Sequence, residues 1–599
     1  MRAAHLLLAA IFAASLSTAQ KPPVRHPVPK PAKAAPTLPT TPEMIFFNAV
    51  IYTGVGFAED KPEVVQAMAI GGGKVLAVGT NDEVTRLAGP KTRLWDVDSN
   101  DTSNFIFPGF NDAHTHLGEA GRTKLNVDLT GVKSLAAMLA KIDAFAKKTP
   151  QGHWLTGGNW DHTLWAAKTL PTRQDLDKVT TGHPALLRRV DGHIALANSA
   201  ALAAAGITGK TTPPQGGAID LDAQGQPTGI LRESAQALVA KLIPPPSPEE
   251  RRKADELAIA DALAHGVTSV QDFSDWEDFL VFEAMEKEGK LHLRISEWLP
   301  FVLPLDKLKA MRAHHDPNDP LLHTGMLKGF MDGSLGSRTA ALKAPYTDDP
   351  ANTGLPQFKQ AELNKMTVVR AQAGFQIGFH AIGDKATAMA LEAFSQTYDA
   401  CPKLAPADKN PTKVPRCWPT VAQDARDRIE HAQVVDPADI PRFAKLGVIA
   451  SMQPSHLITD LNWAQDRLGP ERAAYSYDWK AFQDAGVPLA FGTDYPVEPI
   501  SPFRGLFAAC SRKNEAETKS YFPENKLNRG QALYAYTQGS AYAEFAEKHK
   551  GKLVPGYDAD FILVDRNLYK IGAGAILNSA VSETFVGGEE AFLGNTDVQ

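Results

Sequence analysis

Cysteine is scarce in this chain, with three in 599 residues. A fold so poor in cysteine is not built on a disulfide framework, and no spacing suggests a thiolate metal site. Cys401 and Cys417 flank a polar loop containing Pro and Lys. An oxidising compartment would permit them to bridge, leaving Cys510 a free, buried thiol; the alternative is three unpaired thiols. A basic excess is also missing. The formal net charge is -6, the isoelectric point is near 6.3, and no run of like charge forms a tail or polybasic patch, so a nucleic-acid partner is not expected. Beyond the N-terminus no uninterrupted apolar stretch reaches membrane length. Dinucleotide-binding and P-loop fingerprints are lacking as well.

What is present has the texture of an ordinary globular protein, since hydrophobic residues make up 43% and charged residues 22% of a chain long enough for a large core and more than one unit. The N-terminus carries its own signal. Arg2 and His5 precede the apolar stretch Leu6 to Leu16, and Ser17-Thr18-Ala19 offers a small-residue cleavage site. That is the layout of a signal peptide over 1–19, and its apolar core is too short to span a bilayer comfortably. With no cysteine near the cleavage site a lipid anchor is unavailable. The expectation is an exported protein, periplasmic or secreted after cleavage near Ala19, with no stable membrane anchor. Residues 20–43, rich in Pro, Lys and Ala, read as an extended linker.

From Met44 onward strand patterns appear. Ile45 to Tyr52, Ala67 to Ile70 and Lys74 to Gly79 near one end, and Gly556 to Asp565 near the other, predict a small β-sandwich domain assembled from residues 44–107 and 552–599. Between them, apolar strand-like runs alternate with longer amphipathic stretches rich in Ala, Leu, Lys and Glu. Such alternation predicts βα units and a parallel sheet covered by helices. The runs are Val267–Asp272, His292–Trp298, Gly325–Asp332, Gln376–His380, Arg428–His431, Val448–Gln453 and Pro488–Asp494. With an eighth near His114 they fill a closed (β/α)8 TIM-like barrel over 108–551, an α/β fold; an open doubly wound sheet is the alternative. The segment from about 125 to 245 exceeds a normal βα connection and is expected to be an insertion over the barrel mouth.

The stretch Phe107-Pro108-Gly109-Phe110-Asn111-Asp112-Ala113-His114-Thr115-His116 organises the rest. If a strand continues from Ala113 to Leu117, period-2 alternation places His114 and His116 on one face, where they can grip one metal ion. An isolated H-x-H pair is weak evidence, because two such histidines can be ordinary. Reading the ends of the later runs in order adds Lys328, His380, His431 and Asp494, each followed by Gly, Pro or a polar turn. In a barrel, residues at the C-terminal ends of strands form the active site.

Five strings then become specific: Pro108 to His116; Lys328-Gly329-Phe330-Met331-Asp332-Gly333-Ser334-Leu335-Gly336-Ser337-Arg338-Thr339-Ala340; His380-Ala381-Ile382-Gly383-Asp384-Lys385-Ala386; Ile429-Glu430-His431-Ala432-Gln433; and Gly492-Thr493-Asp494-Tyr495-Pro496-Val497. Together they resemble the amidohydrolase superfamily, and most its amidohydrolase-3 branch of YtcJ-like and N-substituted formamide deformylase-like proteins. The resemblance runs from about Met44 to the C-terminus. It implies that His114 and His116 bind the more buried of two metals with Asp494 as a further ligand, and that His380 and His431 bind the second. It further implies that Lys328 is carboxylated by CO2 and bridges the two ions. Nitrogen and oxygen donors without thiolate suit zinc, and other divalent ions remain open; an unmodified Lys328 would leave a single-metal site.

The chemistry implied is hydrolysis of a non-peptide C–N bond, of amide, N-acyl or formamide type, in a small molecule. Metal-activated hydroxide would attack, with Asp494 as general acid and base. A cyclic-amide hydrolase or deaminase on the same site, and a metal-binding barrel without catalysis, are the alternatives. Substrate contacts are expected from Trp160 and His193 in the insertion and from Arg338 and His456 on mouth-facing loops; a structural role is open to each, and core is the commoner place for an aromatic residue. Whether the chain forms a homodimer is not legible. The stretch from Cys401 to Cys417 lengthens the connection between the runs ending in His380 and His431 beyond the family pattern.

Overall fold

The computed structural model describes Pro39 and residues 41–97, 105–189, 194–214, 217–400 and 424–594. His193, Cys401, Cys417, the expected signal peptide and all but the last residues of the expected linker lie outside the described residues.

At the centre is a sheet of eight parallel strands. In chain order they are β1 (Phe110–Thr115), β2 (Val267–Asp272), β3 (Arg294–Pro300), β4 (Leu322–Phe330), β5 (Ile377–Ala381), β6 (Arg428–His431), β7 (Ile449–Met452) and β8 (Leu489–Phe491). Each pairs with its neighbour in sequence, so the order around the sheet is the order along the chain. The ring is drawn shut past the end of β8: the Asp494 N–H donates to the His114 carbonyl at 2.8 Å and the His116 N–H to the Tyr495 carbonyl at 2.8 Å. Thr115 and Tyr495 form the matching parallel bridge. This is the TIM-like barrel expected from the alternation of apolar runs and amphipathic helices. The strands are buried almost throughout because helices cover their outer faces.

The first strand is shorter than the H-x-H pattern suggests. β1 stops at Thr115, and His116 is the hinge residue (φ -132°, ψ 66°) before the helix Leu117–Lys124. His114 therefore belongs to the strand and His116 to the turn after it. Likewise the run ending in Asp494 is strand only to Phe491. Asp112 captures the chain just beyond that end: its carboxylate accepts from the Thr493 N–H at 2.9 Å and from the Thr493 hydroxyl at 2.6 Å.

Two further sheets come from the chain ends. One joins Lys74–Gly79, Ala67–Gly71, Met44–Phe47 and Arg93–Asp96. The other joins Glu589–Leu593, Val581–Val586, Phe561–Val564, Phe105–Pro108, Val50–Tyr52 and Val64–Val65. Phe46, Ile51, Ile70, Phe561 and Phe585 share one core between them, with Phe561 and Phe585 stacked at 4.5 Å. Arg294 at the start of β3 reaches this layer through Asp560, with Nε to Oδ2 at 2.6 Å and Nη2 to Oδ1 at 2.9 Å. The long segment after the first barrel helix contains a sheet of its own, ordered Gly217–Leu221, Pro227–Glu233, Ile194–Ala197, Leu186–Arg189, Gly157–Trp160 and Val127–Asp128. Separate apolar cores flank it.

Candidate metal centre

The C-terminal ends of the barrel strands bring His114, His116, Lys328, His380, His431 and Asp494 into one buried cluster. His116 Nε2 lies 3.2 Å and His114 Nε2 3.4 Å from Asp494 Oδ1. On the other oxygen, His456 Nε2 lies 3.6 Å from Asp494 Oδ2. The ring of His431 packs 4.9 Å from that of His114, 4.5 Å from that of His380 and 5.8 Å from that of His456. Lys328 Nζ is 2.8 Å from His114 Nε2. His431 and Asp494 both hold positive φ, 73° and 59°, a conformation that costs about 1 kcal/mol or more for an L-residue. The backbone turns sharply at the strand ends to aim these two side chains inward.

The outer hydrogen bonds of the histidines decide what their inner nitrogens can do. His114 Nδ1 faces Glu430 Oε2 at 2.8 Å and His116 Nδ1 faces the Phe273 carbonyl at 3.0 Å. His380 Nε2 faces the Gly333 carbonyl at 3.1 Å, and His431 Nδ1 faces Gln453 Oε1 at 2.8 Å. All four partners are acceptors, so each of these nitrogens carries the proton; the tautomer is assigned from the hydrogen-bond network. The other nitrogen of each ring faces inward, and in His114, His380 and His431 it presents a lone pair, the arrangement of a metal-ligating histidine backed by a carboxylate or carbonyl. Burial, reinforced by Lys328, lowers the pKa of His114 well below that of a free imidazole. His380 falls to about 4 for the same reasons, and burial with His380 beside it lowers His431 strongly. These rings are neutral, the form that binds a cation.

His116 differs. Burial works to lower its pKa, but the hydrogen bond to Asp494 and the charge of that carboxylate together outweigh it and raise the value. A proton on its Nε2 stands where a cation would be held. For Asp494, burial opposes the charge, yet the His116 hydrogen bond and the imidazoles of His431 and His456 keep the carboxyl well below the usual range. Burial lowers Lys328 to about 8, so a fraction of its amine is neutral near neutral pH. His456 Nε2 is buried with no hydrogen-bond partner. Two donor triads result, His114–His116–Asp494 and His431–His456–Asp494, with Asp494 common to both. Neutral inward lone pairs, an ionised carboxylate and an orphaned buried nitrogen fit one or two divalent ions. This chain lacks no donor for them.

The remaining expected contacts divide. His456 stands at the centre rather than on a loop at the mouth. Arg338 lies on the loop after β4, where its guanidinium forms a two-pronged bridge to Asp348 at 2.9 and 3.1 Å, so its charge is already matched. Trp160 departs from expectation: it is fully buried in the insertion's own core and its indole N–H donates to the Leu187 carbonyl at 2.9 Å. It offers a substrate no surface. Residues that the sequence does not single out hold the centre in place. Glu430 bridges His114 to Arg428, whose Nε donates to Glu430 Oε1 at 2.8 Å. Asp332 accepts three backbone N–H groups, from Ala341, Ile382 and Gly383, at 2.8 to 3.1 Å. Glu430 lies inside the Ile429–Gln433 string, two residues after Arg428 on the same strand face, and that alternation of opposite charges is the available signal.

Beside His116 opens a cavity of about 570 Å3. Phe273, Trp298 and Phe330 form its wall nearest the centre, Leu299, Leu303 and Met311 add apolar lining, and its polar lining mixes Glu119, Asp275, Glu277 and Glu297 with Arg122 and Lys307.

The sequence model described as the amidohydrolase family matches residues 104–592. Among curated relatives, the putative amidohydrolase YtcJ of Bacillus subtilis is 33% identical over 501 residues, covering 81% of this chain and 88% of that protein. The N-substituted formamide deformylase of Arthrobacter pascens is 26% identical over 559 residues, covering 90% and 97%. Among solved structures, an uncharacterized metal-dependent hydrolase from Pyrococcus horikoshii OT3 superposes with a TM-score of 0.70 at 29% identity, over 89% of this chain and 99% of that one.

Proposed function

Since the chain belongs to the amidohydrolase family, a family of metal-dependent hydrolases acting on C–N bonds, we propose that it hydrolyses an amide of N-acyl or N-substituted formamide type in a small molecule. The observation that carries this reading is the set of inward-facing imidazole nitrogens of His114, His116, His380 and His431 around an ionised Asp494. His114, His116 and Asp494 would hold one divalent ion, zinc being the best match to the donors, and His431 with His380 and His456 a second. Such an ion lowers the pKa of water to near neutrality and polarises a carbonyl oxygen.

The rest is done by the chain's own groups. Asp494, held ionised, accepts the proton of the attacking water and passes it to the departing nitrogen, which must leave as a neutral amine. Glu430 and Gln453 fix the rings of His114 and His431 in the tautomer that faces inward. Lys328 has the depressed basicity that reaction with CO2 requires, since the neutral amine forms the new N–C bond and releases a proton. Its carbamate, a negative two-oxygen group, would link the two ion positions. The aromatic wall of Phe273, Trp298 and Phe330 suits the nitrogen substituent or acyl group of the substrate, excluding water from the reacting carbonyl. We also propose that the chain is exported after removal of its first 19 or so residues; N-terminal sequencing of the mature protein decides that point.

A panel of N-substituted formamides and N-acyl amines tests the activity, with amine release followed for three samples: the zinc-loaded protein, the chelator-stripped protein and Asp494→Asn. Release by the loaded protein alone supports the reading. Equal release by all three removes Asp494 and metal from the reaction. No release by any, with metal bound, favours the barrel without catalysis.

A further inference from the structure

A second cluster of metal-ligating side chains stands at the opposite end of the barrel. Glu283 and Glu286 lie on the helix Trp276–Lys287 that follows β2. His314, His315 and Asp319 lie between the helix Leu305–Arg312 and β4. Asp319 precedes the first residue of β4 by three positions, which places the cluster at the N-terminal end of the barrel, away from His114 and Asp494. One ligand atom from each of Glu286, His315 and Asp319 falls within 4.8 Å of the other two. His315 Nε2 is 3.4 Å from Glu286 Oε2 and 3.9 Å from Asp319 Oδ2.

The groups around this triad are arranged as they are around a held cation. His315 Nδ1 faces Glu283 Oε1 at 3.1 Å; Nδ1 is therefore the protonated nitrogen and Nε2 the one turned to the triad, a carboxylate–histidine arrangement like that of His114. That Nε2 has no solvent access and no hydrogen-bond partner. Asp319 commits Oδ1 to the N–H groups of Leu321 and Leu322 at 2.8 and 3.2 Å, which frees Oδ2 for the triad. Bonds of about 2.0 Å to a tetrahedral ion put ligand atoms about 3.3 Å apart, so the 3.4 Å edge already matches and the 3.9 Å edge must close by about half an ångström.

The charge count points the same way. Three carboxylates face His315 here; Lys287 pairs with Glu283 Oε2 at 2.8 Å, His314 lies 3.5 Å from Glu283 Oε1, and His323, whose Nδ1 faces the Asp319 carbonyl at 3.1 Å, is kept neutral by burial. Lys287 and His314 thus pair with Glu283 and not with Glu286 or Asp319. Burial and the neighbouring Asp319 raise the pKa of Glu286 against the opposing effect of His315, as expected of like charges brought together. A protonated His315 spanning Glu283 and Glu286 is the competing arrangement, and it needs no metal.

We propose that Glu286, His315 and Asp319 bind a divalent transition-metal ion, zinc by the chemistry of one nitrogen and two oxygen donors, at a structural site separate from the catalytic centre. The ion joins the helix after β2 to the connection that enters β4. Neither residue set shares a ligand with the other, so the site stands or falls independently of the hydrolase reading.

The test uses the full chain with His114→Ala and His116→Ala, equilibrated with zinc chloride, dialysed and analysed for metal, alongside the same protein carrying His315→Ala or, as a milder change, Asp319→Asn. Expected is zinc that His315→Ala and Asp319→Asn each lower by about one ion per chain, together with a zinc-dependent rise in melting temperature that both abolish. An X-ray absorption spectrum of the parent fitted by nitrogen and oxygen donors at about 2.0 Å agrees with it. Zinc content and melting temperature unchanged by either substitution overturn the proposal and leave a protonated His315 in its place.

Discussion

Glu430 illustrates how a single residue governs the centre without touching the reaction. It is wholly buried, it holds His114 Nδ1 at 2.8 Å, and it is itself held by Arg428. Replacing it by Gln leaves the volume but removes a charged acceptor, and loss of such an outer partner costs about 10–100-fold in metal affinity. Competition with a chelator of known affinity measures this; an affinity equal to wild type would show that Glu430 does not orient the ligand. Lys328→Ala removes the proposed bridging group, and elemental analysis should find metal lost relative to wild type. An unchanged content would leave a mononuclear mechanism. At this scale the sequence was readable where a metal-ligating residue type repeated at strand ends, as with His114, His380, His431 and Asp494, which the fold brings together. His456 was readable only as a polar loop residue, because its approach to Asp494 depends on a helix start that no local pattern announces. Trp160 lies in the insertion's own core with its indole on a backbone carbonyl, the usual place of an aromatic residue in a mixed segment.

Among the elements, the seam between β1 and β8 bears most directly on the site. A Cβ on Gly492 would meet Asp112 Oδ1 and the His114 nitrogen, each at 2.6 Å. Gly492→Ala is therefore expected to destabilise the protein by about 1–3 kcal/mol and to weaken metal binding by displacing His114. A shift in the denaturation midpoint without any change in metal affinity would mean the seam yields away from His114. Asp332 organises the next elements, accepting N–H groups from both sides of the β4 and β5 ends. Its carboxyl is raised by burial to about 7, and Asp332→Ala strands three donors, a loss of about 3 kcal/mol or more; denaturant titration measures it. Strand positions were legible as apolar runs, but their ends were not. The runs through His116 and Asp494 break earlier than period-2 reading suggests, because Asp112 and the helix entering at Leu117 claim the backbone there.

For the whole molecule, the chain ends and the barrel are tied by charges buried between them. Arg294 of β3 bridges Asp560, and Asp558 meets His549 at 2.8 Å. Removing one partner of such a buried pair costs about 3–5 kcal/mol, so Asp560→Ala should lower the unfolding midpoint far more than loss of an exposed pair such as Lys480–Asp484. Equal effects would deny the tie its importance. Burial works against charge on Asp558, but its hydrogen bond to His549 and the charges of Arg294 and Lys74 hold its pKa well below the usual carboxylate range. A depressed carboxylate stabilises the fold above its unfolded pKa of about 3.9. That contribution fades as pH falls below this value, so Asp558→Asn should flatten the acid limb of the stability profile. The meeting of the two chain ends was legible, since short strand patterns appear at both ends of the chain, outside the alternating runs of the barrel. The independent sheet of the insertion was not, because its strands are short and set among turns.

The central claim is that the barrel's strand ends form a metal centre. Elemental analysis of purified His315→Ala protein, compared with the same protein carrying His114→Ala and His116→Ala, tests it most directly, since His315→Ala removes the other proposed site from the count. The account predicts about two divalent ions per chain in the first and the loss of at least one in the second. No bound ion in the first, even after equilibration with zinc, iron or manganese, would contradict it.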